Sequence, residues 1–442
     1  MRNIIPLFIA VNVFFLSGCG TASKLEKSAR EDVLSSEALK TAHVGISVYE
    51  PATGKYWFNY QGDKYFVPAS NTKIPTCYAA MKYLGDSLVG WYIRESDDTV
   101  YLKPNADPTF LHPDFSKQLL FKLLLTTKKK VSYEIPDNVQ FKRFGSGWSW
   151  NDYAEPYMAE RSPMPIYGNL VTFTMYGDSL NVIPAYFKSS NFFPSSSSGY
   201  GKNIDITRLK STDNFIVQKT STPFLRKQIP FTGADNANVE EILLLDTIWK
   251  LRKNFLMYYH GPYLQIKYNK FHSQPTDSLL RPMMHRSDNF FAEQSLLMVS
   301  NELLGYMNDE KIIDTLLKTD FKDLPQKPRW VDGSGLSRYN LFTPQDFVFI
   351  LNKMKNEFGM PRIKNILATG GEGTLSNYYP KEKGFLYAKT GSLSGVVALS
   401  GFLTTKKGKD LIFSVQVNNH NGSATDVRRA VEKFIEGIRE NN

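Results

Sequence analysis

The run Phe66-Val67-Pro68-Ala69-Ser70-Asn71-Thr72-Lys73 decides how the rest of this chain is read. It starts extended and apolar, meets Pro68, and then takes on a helical composition as far as Tyr83, before Gly85. Three residues make nearly one helical turn, so Ser70 and Lys73 fall on one face. A serine hydroxyl is a weak nucleophile unless a base stands beside it. A lysine partly desolvated near other cations has a lowered pKa and can be that base. The helix N-terminus adds a positive dipole end. Taken alone, Ser70 also reads as an N-cap. Pro75 lies near the helix start, where a missing N–H is tolerated, yet a kink just beyond Lys73 would alter the Ser70–Lys73 distance.

Two further motifs follow in order. Ser287-Asp288-Asn289 is an S-x-N, and Lys389-Thr390-Gly391, continued by Ser392-Leu393, is a K-T-G. The S-x-x-K and the K-T-G each occur once in the chain. An S-x-N also occurs at Ser189-Ser190-Asn191, inside a Ser-rich loop where nothing else supports it. The K-T-G is expected on a strand lining the site. There Gly391 removes a side chain where substrate approaches the backbone, and Lys389 is a fixed positive charge. Lys389 with its charge, and Thr390 and Ser392 with their hydroxyls, are expected to form the slot for a terminal carboxylate. The N–H groups of Ser70 and Ser392 are the expected oxyanion donors. Ser287 can relay a proton to a leaving amine, and Asn289 can hydrogen-bond a substrate amide. Surface polarity explains any one of these residues, but not all three motifs in order. The set is that of serine penicillin-binding proteins and class A β-lactamases.

More of the chain carries a narrower resemblance. Val331-Asp332-Gly333-Ser334-Gly335-Leu336-Ser337-Arg338-Tyr339-Asn340 with Thr343-Pro344, Gly371-Glu372-Gly373-Thr374-Leu375 and Gly147-Trp148-Ser149-Trp150-Asn151-Asp152-Tyr153 all resemble the class C low-molecular-mass penicillin-binding proteins, the D-alanyl-D-alanine carboxypeptidase/endopeptidase family. Asn105-Ala106-Asp107-Pro108-Thr109 is a looser match. The resemblance implies an α/β peptidase domain, with an antiparallel sheet between helix layers, and β-rich domains inserted between the first two motifs. Ser70 and Ser287 lie 217 positions apart, which fits that insertion and argues against a class A β-lactamase. It also implies hydrolysis of peptidoglycan stem peptides through an acyl-enzyme on Ser70, with β-lactams as covalent inhibitors. In relatives the residue matching Asp152 resembles a ligand for a side-chain amine of the stem peptide, and the Arg matching Arg338 lies near its carboxylate. A carboxylate among Trp148, Trp150 and Tyr153 would be partly desolvated and would favour a cation, although a structural Asp capping a turn fits the sequence as well. Glu372 stands where relatives often carry Asp, and Pro75 where they carry an ordinary apolar residue. Two other readings remain open: a β-lactamase-like hydrolase, and a catalytically retired envelope-binding lipoprotein.

Working outward, the expected plan is a peptidase domain over residues 43–97 and 281–442, interrupted by β-rich domains over 98–280. Strands are expected at 44–49 and 55–60, a helix at Asn289–Leu304, a hairpin of 396–403 with 410–418, and a closing amphipathic helix at 425–439. Hydrophobic residues make up 42% of the 442 and charged residues 22%, which excludes a disordered or fibrous chain. The formal net charge of +10 is compatible with anionic partners, but no basic-aromatic cluster resembles a nucleic-acid module. There is no C-x-x-C and no H-E-x-x-H, and the histidines are scattered, so no metal or cofactor is expected.

The N-terminus reads as an address. Arg2 precedes an apolar run over residues 4–16, of signal-peptide length and too short to span a bilayer. Leu16-Ser17-Gly18-Cys19 resembles the lipobox of bacterial lipoproteins, with residues 1–18 removed and Cys19 acylated; an ordinary signal peptide with a chance Cys is the alternative. Residues 19–42 would then be a tether and first helix. Gly20 rather than Asp after Cys19 favours the outer membrane, with the enzyme facing the periplasm. Cys77 is left as a small buried side chain in a helix. Neither oligomeric state nor the third residue of the stem peptide is legible.

Overall fold

The computed structural model describes residues 25–27, 29–134, 138–189, 192, 202–233, 239–251, 257–260 and 267–442. The signal segment, Cys19, the serine run 195–198, and Ser190 and Asn191 of the isolated S-x-N lie outside the described residues. Among the described residues, no helix is long and apolar enough to cross a membrane.

The C-terminal apolar runs form the centre of the main sheet. Val396–Thr404 and Asp410–Asn418 pair antiparallel from Val396↔Asn418 to Thr404↔Asp410, and the lysine-rich turn closes over Gly408 at φ 79°. His43–Glu50 and then Lys55–Tyr60 extend the sheet on one side. Leu386–Leu393 and the short Ala368–Thr369 extend it on the other, giving six antiparallel strands. Both faces are covered, which is why Val396–Thr404 is buried along nearly its whole length rather than alternating. The closing helix Ala424–Asn441 lays Val427, Val431, Phe434, Ile435 and Ile438 on one face, at helical spacing. Pro344–Ile366 covers the other, started by a reciprocal cap in which the Asp346 N–H donates to Thr343 Oγ1 at 3.1 Å and the Thr343 N–H to Asp346 Oδ2 at 2.9 Å.

Beyond that helix lies an all-helical layer of Lys73–Tyr83, Thr276–His285 and Asn289–Leu304. Cys77 is fully buried in it, and burial pushes its thiol up to about 12. Asn289–Leu304 is buried on every side from Phe290 to Asn301, polar positions included. Several of its polar side chains are met by the inserted chain. Gln294 Nε2 donates to the Ala106 carbonyl at 2.9 Å and the Ser162 carbonyl at 2.7 Å, and Asn301 Nδ2 donates to Asn105 Oδ1 at 2.6 Å. The Asn105–Thr109 stretch is therefore a joint between the insert and the catalytic helix.

The insert carries three more sheets among the described residues. The largest orders its strands Met257–His260, Lys130–Glu134, Thr99–Pro104, Ser87–Glu95 and Asn269–Pro275. Its first strand begins at Ser87, ahead of the composition change near residue 98, because Ser87–Glu95 pairs with Thr99–Pro104 and Asn269–Pro275 rather than with the main sheet. A three-stranded sheet combines Arg226–Pro230, Leu170–Tyr176 and Ser179–Ile183, and Ile204–Arg208 pairs with Phe215–Lys219.

Candidate active site

The segment leading to Ser70 is clamped to the main sheet. The Val67 N–H donates to Asn418 Oδ1 at 2.7 Å, and Asn418 Nδ2 returns a bond to the Val67 carbonyl at 3.0 Å. The chain then turns through Ala69, held at φ 47°, into a tight helical turn Ala69–Thr72 that precedes the Lys73–Tyr83 helix. A non-glycine residue in the left-handed region costs roughly 1–3 kcal/mol, and such positions gather at functional sites. Asn71 fastens the turn from below, donating to Ser400 Oγ at 2.9 Å.

Ser70 and Lys73 meet as the spacing predicts, with Nζ 3.0 Å from Oγ. The expected kink at Pro75 is not there. Pro75 is the third residue of its helix, where a missing N–H removes little, and the nucleophile–base distance is intact. Lys73 is fully buried. Its Nζ also donates to Asn289 Oδ1 at 2.6 Å and to the Ser334 carbonyl at 2.7 Å. Burial lowers its pKa to about 8, working against the carboxylates of Asp332, Asp288 and Glu293, which hold it up. The desolvation expected from sequence is thus the main cause, and the cation expected beside Lys73 is Lys389, whose own pKa the Lys73 charge lowers.

The stretch from Val331 to Asn340 is a backbone cradle for this lysine. Asp332 is its hub. Its carboxylate accepts from the N–H groups of Gly335 and Ser337 at 2.9 and 2.7 Å, from Asn340 Nδ2 at 2.7 Å and from Trp148 Nε1 at 2.8 Å. The Ser334 N–H donates to Glu293 Oε1 at 2.8 Å, and the fully buried Arg161 pairs with Glu293 and Asp309. Sequence reading missed Glu293, although its place four residues after Asn289 puts it on the same helix face.

Lys389 approaches from the other side. Its Nζ donates to Ser287 Oγ at 2.8 Å and to the Thr390 carbonyl at 2.7 Å, and Ser287 itself is held at φ 64°. Lys389 is wholly buried, and burial first, then the charge of Lys73, pushes it well below the ordinary lysine value. It is therefore not the accessible fixed charge expected from sequence. Gly391 also has a different reason from the one expected. A Cβ there would stand 2.6 Å from the Pro68 carbonyl oxygen, so glycine lets the nucleophile segment pack on this strand. The Thr390 hydroxyl donates to Thr374 Oγ1 at 2.8 Å, which gives the Gly371–Leu375 stretch its role. The Glu372 carboxylate pairs with Lys383 at 3.2 Å, so the substitution there does not reach the cleft. Ser392 is exposed, and its Oγ accepts from Arg428 Nη2 at 2.9 Å.

These groups open into one cleft of about 620 Å³, which brings Ser70, Asn289, Ser392 and Leu393 together with Asp152, Tyr157 and Arg338. Asp152 is thus placed in the cleft, but the aromatic wall expected around it is not formed. Trp148 turns to Asp332, Trp150 is 66% exposed beneath Lys210 Nζ at 3.4 Å, and the Tyr153 hydroxyl donates to the Arg208 carbonyl. The partner of Asp152 is the Tyr157 hydroxyl, which burial and then this carboxylate push up to about 12. Arg338 Nη2 donates to the Ser394 carbonyl at 3.1 Å.

A family model described as the D-Ala-D-Ala carboxypeptidase 3 (S13) family matches residues 27–189 and 267–438. A D-alanyl-D-alanine carboxypeptidase of Actinomadura is 26% identical, over 89% of this chain and 82% of its own. The D-alanyl-D-alanine carboxypeptidase DacB of Haemophilus influenzae is 24% identical, over 82% of both chains. Penicillin-binding protein 4 (dacB) of that organism, as a crystal structure, superposes with a TM-score of 0.71 at 21% identity, covering 94% of this chain and 98% of its own.

Proposed function

Since the chain belongs to the D-Ala-D-Ala carboxypeptidase 3 (S13) family, we propose that the cleft hydrolyses the D-alanyl-D-alanine end of peptidoglycan stem peptides through an acyl-enzyme on Ser70. The observation that carries this is the Lys73 amine, 3.0 Å from Ser70 Oγ and desolvated to a pKa of about 8. A neutral fraction is then present near physiological pH, and a neutral Lys73 accepts the Ser70 proton as Oγ attacks the penultimate carbonyl. Ser70 lies in the first turn of a helical segment, whose leading N–H groups have no intrahelical acceptor. With the Ser392 N–H it can hold the developing oxyanion. The departing D-alanine nitrogen needs a proton, and Ser287, bonded to Lys389, is placed to pass one on. Water then cleaves the ester by the reverse relay.

A β-lactam presents a strained amide beside a carboxylate, so it acylates the same serine. The test is mass mapping of the penicilloyl adduct together with release of D-alanine from an acyl-D-Ala-D-Ala peptide. An adduct on any serine other than Ser70 would refute the assignment, and rapid adduct hydrolysis would favour a β-lactamase. A retired site has no need to keep Lys73, Asn289, Ser287 and Lys389 in bonding contact, so the intact network weighs against a mere binding protein. The chain is further proposed to be exported and lipid-anchored at Cys19, facing the periplasm from the outer membrane; the lipobox-like Leu16-Ser17-Gly18-Cys19 supports this.

A further inference from the structure

The hydrolysed peptide ends in a free carboxylate, and that charge must be met somewhere near the K-T-G strand. The groups read from the motif are already committed. Lys389 is buried, with its Nζ on Ser287 Oγ and the Thr390 carbonyl. The Thr390 hydroxyl pairs with that of Thr374 at 2.8 Å, and Thr390 lines the recess behind the strand. Ser392 is different. It is exposed at the cleft, and its Oγ accepts from Arg428 Nη2 at 2.9 Å. A hydroxyl that accepts from a guanidinium still has its own proton to give, and the bond orients it as a donor.

Arg428 belongs to the closing helix Ala424–Asn441, outside every motif. It sits in a narrow recess behind the strand with Thr374, Thr390 and Gly391. Its neighbour Arg429 pairs with Glu432, whereas among the described residues no carboxylate pairs with Arg428. Among the described residues its guanidinium makes one hydrogen bond, to Ser392 Oγ, and the planar fork has further N–H donors that suit a carboxylate. Arg428 reaches the cleft through Ser392, whereas the guanidinium that lines the cleft itself, Arg338, bonds the Ser394 carbonyl.

We propose that Arg428, with Ser392, is the specificity-determining cation for the free C-terminal carboxylate of the substrate. This rests on the peptidase reading above. A charge-assisted pair of this kind in a partly shielded cleft is worth a tenfold discrimination or more, on the order of that seen for hydrogen bonds to charged groups. The assignment also explains why a lysine can be buried at Lys389: the task of greeting the anion falls to another residue, and Lys389 is free to serve Ser287.

The experiment compares an acyl-D-Ala-D-Ala peptide with its C-terminal amide, in the full chain and in Arg428→Gln, Arg428→Lys and Arg338→Gln. In the wild type the acid is preferred. In Arg428→Gln the acid-to-amide ratio of kcat/KM falls about tenfold, mainly through KM. Arg428→Lys retains part of the preference, and Arg338→Gln leaves the ratio unchanged. Penicillin labelling of Ser70 is followed in each variant to keep the two readings apart. Equal losses on acid and amide in Arg428→Gln, with Ser70 still labelled, overturn the Arg428 assignment alone. A fall of the ratio in Arg338→Gln instead moves the carboxylate site there. Failure of the wild type to label Ser70 or cleave either peptide overturns both readings.

Discussion

The Ala69 carbonyl oxygen occupies the space beside Gly335 so fully that a Cβ on Gly335 would stand 1.9 Å from it. Gly335 sits at φ 80°, and its own N–H is held by Asp332. The residue before the nucleophile thus rests directly on the loop that supplies the Ser334 carbonyl to Lys73. Gly335→Ala is expected to push the two apart, costing about 2 kcal/mol or more of stability and slowing Ser70 acylation beyond what the stability loss explains. Thermal melting and penicillin acylation kinetics measure the two effects. Wild-type values for both would show that the contact yields freely.

The rate of acylation should rise with pH and level off above about 8, because only neutral Lys73 accepts the serine proton. Lys73→Arg, which stays protonated, should lose about 10²–10⁴-fold and the pH step with it. Stopped-flow acylation across pH 6 to 10 reads this directly. A flat profile in the wild type would assign the base elsewhere.

Lys389→Ala should remove the proton relay through Ser287 and reduce turnover by about 10²–10⁴-fold. The loss should be similar on free-acid and amidated peptides, since the side chain is buried away from the carboxylate. A loss confined to the free acid would restore to Lys389 the role that its motif suggests.

Asp152→Asn keeps the shape of the cleft and removes one negative charge. For stem peptides whose side chain ends in a free amine, kcat/KM should drop by about tenfold, equivalent to roughly 1.4 kcal/mol. Acetylating that amine should reproduce the loss in the wild type and add nothing in the variant. Tyr157→Phe removes the hydroxyl that Asp152 accepts from but leaves the charge, and should cost less. Equal effects of Asp152→Asn on free and acetylated substrates would make the residue a structural cap.

Cys19→Ser should release the protein into the soluble periplasmic fraction, and the wild type should take up a fatty-acid probe. One acyl chain holds a protein only marginally, but a diacylglycerol supplies two. Soluble, unlabelled wild-type protein would contradict the anchor.

Local pattern carried much of this molecule into view. The Ser70–Lys73 pair, the hairpin around Gly408 and the Asn289–Leu304 helix were legible because each depends on residues close in sequence. The misread features depend on partners far away. Lys389 reads as an exposed charge until the main sheet and the helical layer close over it. Gly391 reads as an opening for substrate until Pro68 packs against it. Arg428 and the Arg161–Glu293 pair have no local signature, because folding alone brings them to the site. Trp148 resembles a substrate wall beside Asp152, but its indole N–H is claimed by Asp332, 184 positions along the chain.

The polar side chains along the buried Asn289–Leu304 helix have a practical implication for anyone seeking a minimal enzyme. Gln294, Asn301 and Glu293 find their counterparts in Ser162, Asn105 and Arg161, all on the chain between the first two motifs. Cutting that chain out would strand these groups in an apolar layer, at about 1–3 kcal/mol for each neutral one and more for the carboxylate. The excised portion is a keystone rather than an ornament. A truncated variant would need apolar replacements along that helix before it could hold Asn289 against Lys73.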